Sequence, residues 1–258
     1  MGERISILGT PVDAYSFAET VRRAHDAMTG SQVIRQVSLN VAKLVKMRSD
    51  PLLRSDVLSS DIISADGMGI IWGCKLLGLR LPSRVPGVDL MMALLELCAK
   101  EGFRPYFLGA TPKVLEDAVC NATRRWPALQ IAGMHHGYFK IDEESAVVEE
   151  IVRAKPHCLF IAMPTPRKER FLAQHHAKLQ VPYIMGVGGS LDILAGKTSR
   201  APYWMQAAGL EWFYRILQEP RRMWWRYAST NGVFAWLVIT ALTQVLLTKI
   251  VQRHRHVD

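Results

Sequence analysis

Residues 105–126 read PYFLGATPKVLEDAVCNATRRW: a short apolar run ends at Gly109, and a longer amphipathic stretch begins at Pro112. A short apolar run closed by glycine is typical of a buried strand. A Thr-Pro pair is a common start of a helix, because threonine caps the first turn and proline lacks the N–H that would be unpaired there. The same strand–loop–helix unit recurs on both sides of this stretch, which predicts a sheet of mostly parallel strands.

The repeated unit predicts an α/β fold, with a Rossmann-like, mostly parallel sheet and helices on both of its faces. The predicted strands are residues 33–38, 62–65, 105–109, 129–134, 158–162 and 183–187. The predicted helices are residues 16–28, 69–77, 89–100, 112–126, 143–154 and 167–178.

Composition indicates a folded chain with an anionic partner. Hydrophobic residues make up 49% of the 258 residues and charged residues 21%, so a sizeable core can form. The net charge of +9 favours nucleic acid, phospholipid headgroups or a diphosphate-bearing substrate, and charge alone does not choose among them. The four cysteines include no Cys-x-x-Cys pair, so neither a zinc site nor a disulfide is predicted. The first residues do not have the pattern of a signal peptide.

The end of the chain differs in composition, which divides the sequence into an α/β core, 1–199, and a helical, Arg/Trp-rich appendage, 200–258. The appendage holds five of the seven tryptophans, interleaved with arginines beside the apolar run 233–247. This combination is typical of a membrane interface. The run has about 15 residues, whereas a spanning helix needs roughly 20. The sequence therefore predicts a helix that lies on or partly in the bilayer; a helix pair packed in a dimer or bundle is the alternative.

Polar residues follow several predicted strands, at the sheet edge where open α/β sheets bind ligands. Asp66 directly follows the strand 62–65, and its neighbouring glycines let a ligand approach the backbone. Its carboxylate fits a general base, a ribose anchor or a helix cap. Arg84 lies in a Pro/Gly-rich loop and fits either a bidentate contact to a diphosphate or a surface arginine. Residues 186–190, GVGGS, fit either a phosphate cradle at a helix start or a tight turn.

Several kinds of site are absent from the sequence. There is no Asp-x-Asp pair and no His-Glu-x-x-His, so no metal site is predicted. The Gly-x-Gly-x-x-Gly dinucleotide fingerprint and the Walker sequence are also missing, so no cofactor is expected. This lowers the case for a nucleotide-dependent oxidoreductase, which shares the fold class.

Taken together, the loops resemble those of the WecG/TagA/CpsF glycosyltransferase family, in the same order along nearly the whole chain. The matching segments are Ser38 to Asn40, Ala65 to Gly69, Arg84 to Asp89, Phe107 to Gly109, Gly137 to Phe139, Gly186 to Asp192, Arg200 to Pro202, Gly209 to Arg215 and Glu219 to Arg222.

The resemblance implies an inverting, metal-independent enzyme in which Asp66 is the general base, Asn40 positions donor or acceptor, and Arg84 contacts the leaving diphosphate. It further implies a UDP-sugar donor, a polyprenyl-diphosphate-linked acceptor and a peripheral location at the cytoplasmic face of the bacterial inner membrane. The implied substrate-binding residues are Ser38, Gly67, Asp89, Tyr138, Lys168, Glu169, Gly188, Gly189, Ser190 and Asp192. Arg215, Arg221 and Arg222 are implied to bind the lipid diphosphate of the acceptor.

One departure from the family pattern concerns the donor. The family usually reads Pro-Lys-Gln-Glu where this chain has Pro166-Arg167-Lys168-Glu169. A lysine only donates, whereas the amide of glutamine both donates and accepts. The donor is therefore expected to be a hexose, an N-acetylhexosamine or a uronic acid.

The alternative function is a non-catalytic membrane- or nucleic-acid-binding module, although the basic residues of the tail lie among tryptophans rather than in one stripe. No nucleic-acid partner is expected, and a homo-oligomer stays open.

Overall fold

The computed structural model describes residues 3–30 and 32–254, and the side chains of residues 222, 223, 226 and 245–254 lie outside the described part. The strands are β1 (Arg4–Ile7), β2 (Thr10–Asp13), β3 (Ile34–Leu39), β4 (Ile62–Ala65), β5 (Pro105–Gly109), β6 (Gly133–His135), β7 (Cys158–Ala162) and β8 (Tyr183–Gly186). The helices are α1 (Phe17–Thr29), α2 (Val41–Ser49), α3 (Pro51–Leu58), α4 (Met68–Leu76), α5 (Gly87–Glu101), α6 (Pro112–Arg125), α7 (Glu144–Ala154), α8 (Arg167–Leu179), α9 (Ser190–Leu194), α10 (Tyr203–Ala207), α11 (Glu211–Gln218) and α12 (Pro220–His254).

Six strands form one parallel sheet in the order β4-β3-β8-β7-β5-β6. Each connection between successive strands passes through at least one helix, as parallel pairing requires. Because all six strands point the same way, their carboxyl ends meet at one edge. The predicted Rossmann-like α/β fold is confirmed.

Helices cover both faces of the sheet. Neighbouring residues of one strand point to opposite faces, so each strand contributes side chains to both layers of packing. Phe107 and Phe160 pack with α1, α5, α6 and α9 on one face. Leu108 and Ile161 pack with α7 and α8 on the other. The same second face continues over β3 and β4, where Leu39 packs in a cluster with α2, α3 and α4.

Local sequence explains where several helices begin. Ser16 and Glu19 form a capping box at the start of α1. Asn40 and Asp50 accept N–H groups of the first turns of α2 and α3, at 2.9 Å each. Thr111 caps α6 in the same way. These caps satisfy N–H groups that have no partner within the helix.

The predicted elements agree with the structure except at β6. The other five predicted strands match within one residue, and the six predicted helices within two. The prediction of a strand over 129–134 is wrong, because the Leu129 N–H bonds to the Trp126 carbonyl in a turn and the strand begins only at Gly133. The β1–β2 hairpin and the helices α2 and α3 were not predicted.

The appendage is helical, and its last helix packs on the core. In α12, Phe234 and Val238 are buried with β3, β4, α2 and α4. A Cβ atom on Gly73 of α4 would lie 2.6 Å from Cζ of Phe234, so only glycine permits this approach. The same helix also exposes tryptophans: Trp224 is 61% exposed, Trp225 75% and Trp236 65%. Within the described residues, no helix combines the length and apolar character that crossing a bilayer requires.

Candidate active site

Asp66 lies at the carboxyl end of β4, half-buried, with its two oxygens in different surroundings. Oδ1 accepts the N–H of Gly87, the first residue of α5, at 3.0 Å. The helix that directly follows Asp66, α4, has Gly67 as its N-cap and no side-chain cap. Asp66 is therefore tied to α5 by one oxygen rather than capping its own helix.

Oδ2 of Asp66 lies beside Gly87, Ser38 and Met185. A Cβ atom at this glycine would lie 3.9 Å from Oδ2 of Asp66, 3.5 Å from Oγ of Ser38 and 3.7 Å from Cε of Met185. The Ser38 hydroxyl, at the end of β3, is buried and has no hydrogen-bond partner among the described residues. The ends of β3, β4 and β8 thus meet around Asp66.

Burial raises the pKa of Asp66 above its ordinary value of 3.8. The N–H of Gly87 and the charges of Arg215 and Arg84 act in the opposite direction, while Glu211 adds to the increase. A carboxylate whose pKa is raised in this way holds a proton more readily than an exposed one, which suits a group that accepts a proton during a reaction.

Asn40 and Gly67, which follow β3 and β4, lie together. A Cβ atom on Gly67 would be 3.6 Å from Cβ of Asn40, so the two loops after β3 and β4 lie against each other. The Asn40 Oδ1 accepts the N–H of Lys43 and caps α2. This bond uses the carbonyl end of the amide and leaves its NH₂ group, a double donor, to other partners.

Arg84 is joined to the appendage through a chain of charges. Its Nη1 donates to Oε2 of Glu211, in the first turn of α11, at 3.0 Å. Glu211 also lies 3.7 Å from Nε of Arg200. Arg200 in turn forms a bidentate pair with Asp89 of α5, with Nη2 and Oδ2 2.7 Å apart. Arg84 and Asp89, both interpreted as site residues, therefore occupy the two ends of one chain.

The glycine-rich loop after β8 turns tightly into α9. Gly188 has a φ of +53°, a conformation that favours glycine. Ser190 is buried, and its Oγ donates to the Val187 carbonyl at 2.7 Å, which holds the turn. Asp192 is partly exposed and pairs with Lys197 at 3.2 Å. A Cβ atom on Gly189 would be 3.7 Å from Oδ2 of Asp192, so this carboxylate faces the loop.

Lys168 and Glu169 belong to a buried ionic cluster beneath the carboxyl edge of the sheet. Oε1 of Glu169 lies 2.9 Å from Nζ of both Lys43 and Lys168. Lys168 also donates to Oγ1 of Thr165 at 2.7 Å, and its stem crosses the backbone of Gly186 at the end of β8. Burial opposes ionisation of Glu169, but the two lysines outweigh it and lower its pKa to about 2.

Tyr138 lies farther along the same edge, in the loop after β6. Its ring is 72% exposed. The loop is held by Arg167, which donates to the carbonyls of Gly137 and Phe139 and stacks over the Phe139 ring at 4.6 Å. A fixed loop with an exposed aromatic ring offers a flat surface for a base or a sugar.

The three arginines of the appendage have different positions. Arg215 of α11 is one of the charges that act to lower the pKa of Asp66. Arg221 is exposed in the first turn of α12. Arg222 lies in the same turn, and its side chain is outside the described residues.

Sequence reasoning gave no role to Glu211, Arg200 or Lys43. The Arg84–Glu211 bond spans 127 positions and the Arg200–Asp89 bond 111. No local pattern could reveal such pairs. Lys43 could have been suspected only as a lysine in the first turn of a helix that was itself missed.

The site can accept a proton at Asp66 and hold anionic groups at Arg84, Arg215 and the loop after β8. Among the residues described, no group of three or more His, Cys, Asp and Glu side chains is arranged to hold a metal ion. A carboxylate base beside fixed positive charges, at the carboxyl edge of a parallel sheet, is suited to transfer of a group from a phosphate-bearing donor to a hydroxyl. Fold and site together define a Rossmann-like α/β protein with a carboxylate and arginines at the carboxyl edge of its sheet.

The chain belongs to the glycosyl transferase WecG/TagA/CpsF family, whose model matches residues 5–246. It is 35% identical over 175 residues to an N-acetylglucosaminyldiphosphoundecaprenol N-acetyl-beta-D-mannosaminyltransferase of Bacillus subtilis (strain 168), covering 67% of each chain. It is 33% identical over 177 residues to the enzyme of the same name from Bacillus spizizenii, covering 69% of this chain and 67% of that one. The like-named Staphylococcus aureus (strain MW2) enzyme is 35% identical over 161 residues, covering 62% of this chain and 63% of that one.

Proposed function

We propose that this chain is an inverting, metal-independent glycosyltransferase that moves a sugar from a UDP-sugar to a polyprenyl-diphosphate-linked acceptor in bacterial cell-surface polysaccharide synthesis. The observation that carries the proposal is the surroundings of Asp66: one oxygen is fixed by the Gly87 N–H at 3.0 Å, and the other lies beside Gly87 near the Ser38 hydroxyl, which has no hydrogen-bond partner among the described residues. The named activity of the relatives supports the acceptor class.

In the proposed reaction, Asp66 accepts the proton of the acceptor hydroxyl. The hydroxyl oxygen forms a bond to the anomeric carbon from the face opposite the diphosphate. The bond from that carbon to the diphosphate oxygen breaks, and UDP leaves with the electron pair. Attack from the opposite face inverts the anomeric centre. A positioned base of this kind contributes typically ~10²–10⁴-fold to the rate.

The departing diphosphate requires fixed positive charge. Arg84 supplies a guanidinium, and the N–H groups at Gly188 and Gly189 supply backbone dipoles at the turn after β8. Asn40 positions donor or acceptor through its amide. Tyr138 and Asp192 hold the nucleoside, while Gly67, Ser38 and Ser190 shape the pocket. Removal of one such preorganised donor commonly costs ~3–4 kcal/mol of barrier.

For the sugar itself, we take the donor to be a hexose, an N-acetylhexosamine or a uronic acid. The relatives' names specify N-acetylmannosamine. Lys168 stands where the family usually has an amide, and its ammonium is engaged with Glu169 and Thr165. In this proposal Lys168 and Glu169 fix the shape and charge of the pocket floor. The ammonium group of Lys168 gives this floor a charge that an amide at the same position would not give.

The appendage brings the crevice to the bilayer. Exposed aromatic rings at Trp224, Trp225 and Trp236 lie on the same helix as Arg221 and Arg222, a combination suited to an anionic leaflet. Each basic residue near such a surface contributes about 1 kcal/mol. Arg215, Arg221 and Arg222 bind the lipid diphosphate of the acceptor, with the protein peripheral at the cytoplasmic face of the inner membrane.

A panel of UDP-sugars tests the proposal. The purified chain is incubated with a short-chain polyprenyl-diphosphate N-acetylglucosamine and each donor, with and without EDTA, and the lipid product is measured. Transfer from at least one donor, unaffected by EDTA and with an inverted anomeric centre in the product, is expected. No transfer from any UDP-sugar, or transfer only on addition of magnesium, would contradict it.

A further inference from the structure

Glu211 joins the crevice around Arg84 to the appendage. It begins α11, and its carboxylate contacts two arginines that come from different parts of the chain. Arg84 belongs to the loop before α5, whereas Arg200 opens the appendage. The carboxylate is 16% exposed, so these contacts are shielded from water, and their electrostatic attraction is stronger than that of surface ion pairs.

The charges alternate along this chain of side chains. Asp89, Arg200, Glu211 and Arg84 follow one another as acid, base, acid, base, and their net charge is zero. Arg84 is the last member on the crevice side. The next position in the alternating order is therefore suited to an anion.

The bond to Glu211 occupies only part of the Arg84 guanidinium. The bond to Glu211 uses Nη1, one of the three guanidinium nitrogens. A guanidinium presents five N–H donors in a planar fork, so it can be held along one edge and bind a phosphate with another. A flexible arginine would have to be ordered on binding, whereas one already held by Glu211 loses less conformational entropy.

Building on the glycosyltransferase function proposed above, we propose that Glu211 is a positioning residue that holds the Arg84 guanidinium in place for the diphosphate of the donor. The carboxylate is carried by the appendage, so docking of α11 and binding of the donor favour each other. This reciprocity is required of any two linked equilibria.

The experiment measures UDP binding by isothermal titration calorimetry in the full chain. Glu211→Gln keeps the size of the side chain and removes its charge, and Glu211→Asp keeps the charge on a shorter stem. Asp117→Asn, which breaks the exposed pair with Lys113, is the matched control. We expect the Kd for UDP to rise roughly 5- to 10-fold in Glu211→Gln, the lower end of the usual range of coupling between sites. Glu211→Asp should fall between it and the wild type, and the control should match the wild type.

The same substitution in an Arg84→Ala background separates a positioning role from a structural one. If Glu211 acts through Arg84, Glu211→Gln produces no further loss of UDP affinity in that background, and in the single variant the donor KM rises more than kcat falls. Equal losses in both backgrounds would overturn the inference. Tighter binding in Glu211→Gln would also overturn it, because Glu211 would then compete with the diphosphate. A wild-type chain that transfers sugar but shows an unchanged Kd in Glu211→Gln refutes the inference alone, and a wild type without UDP affinity refutes the proposed function as well.

Discussion

Replacing Asp66 with asparagine removes the proposed base and nearly preserves the shape of the side chain. The new amide has nearly the shape of the carboxylate, and its oxygen can accept the Gly87 N–H that Oδ1 now accepts at 3.0 Å. Loss of the base should lower kcat by ~10²–10⁴-fold, which corresponds to about 2.7–5.4 kcal/mol of barrier. The Kd for UDP should stay within about twofold of the wild-type value, because no contact to the diphosphate is removed. A tenfold rise in Kd would mean a loss of about 1.4 kcal/mol of binding free energy.

The same variant has a predictable stability. Because burial raises the pKa of Asp66, the folded chain binds this proton more tightly than the unfolded chain does. The charged carboxylate therefore costs stability once the pH rises above the unfolded pKa, and the cost is complete above the folded pKa. Asp66→Asn should melt at or above the wild-type temperature at pH 7, and the difference should shrink on acidification.

Two assays check this reasoning. Initial rates are measured against pH with the UDP-sugar that the panel identifies, and melting temperatures are measured across the same range. The wild-type rate should fall on the acid side as Asp66 takes up its proton, at a pH above the ordinary aspartate pKa of 3.8. Asp117→Asn serves as the control for loss of a carboxylate elsewhere. Wild-type turnover in Asp66→Asn would refute the assignment of the base.

Three further outcomes are expected. Glu169→Gln should lose about 3–5 kcal/mol of unfolding free energy at pH 7, because it removes the buried carboxylate that neutralises Lys43 and Lys168. The pKa of Glu169 is about 2, so the difference from the wild type should narrow as the pH falls from 4.5 toward 2, and a pH-independent difference would contradict the pairing. Phe234→Ala should cost about 3–5 kcal/mol in urea unfolding, and an unchanged midpoint would show that α12 is not docked. The double change Trp224→Ala and Trp225→Ala should weaken sedimentation with anionic vesicles at least ~10-fold, about 1.4 kcal/mol, and unaltered sedimentation would argue against the membrane role.

The sheet was predictable because its strands are buried on both faces and read as apolar runs between amphipathic helices. The β1–β2 hairpin was missed since its strands are short and its stability depends on contacts far along the chain: Asp13 accepts the Ile63 N–H at 2.7 Å. Helices α2 and α3 were missed because their apolar periodicity is weak over 9 and 8 residues.

The candidate site was predictable in part. The residues at strand ends, such as Asp66 and Asn40, follow from the rule that parallel strands bring their carboxyl ends together. The two oxygens of Asp66 have different contacts because Oδ1 accepts the N–H of Gly87, which is 21 positions away in the sequence. The ionic links through Glu211 depend on how the appendage folds back, and that is decided by packing such as Phe234 against Gly73 rather than by any local pattern.

That seat of Phe234 has a geometric consequence. Helix α12 runs without interruption from Pro220 to His254, so its rise of about 1.5 Å per residue places Trp225 roughly 14 Å along the axis from the seat. Under the proposed membrane role, the length of the helix between these residues sets the distance of the crevice from the lipid surface. One added helical turn between the two residues would shift that distance by about 5.4 Å, and with it the length of acceptor that can reach the base.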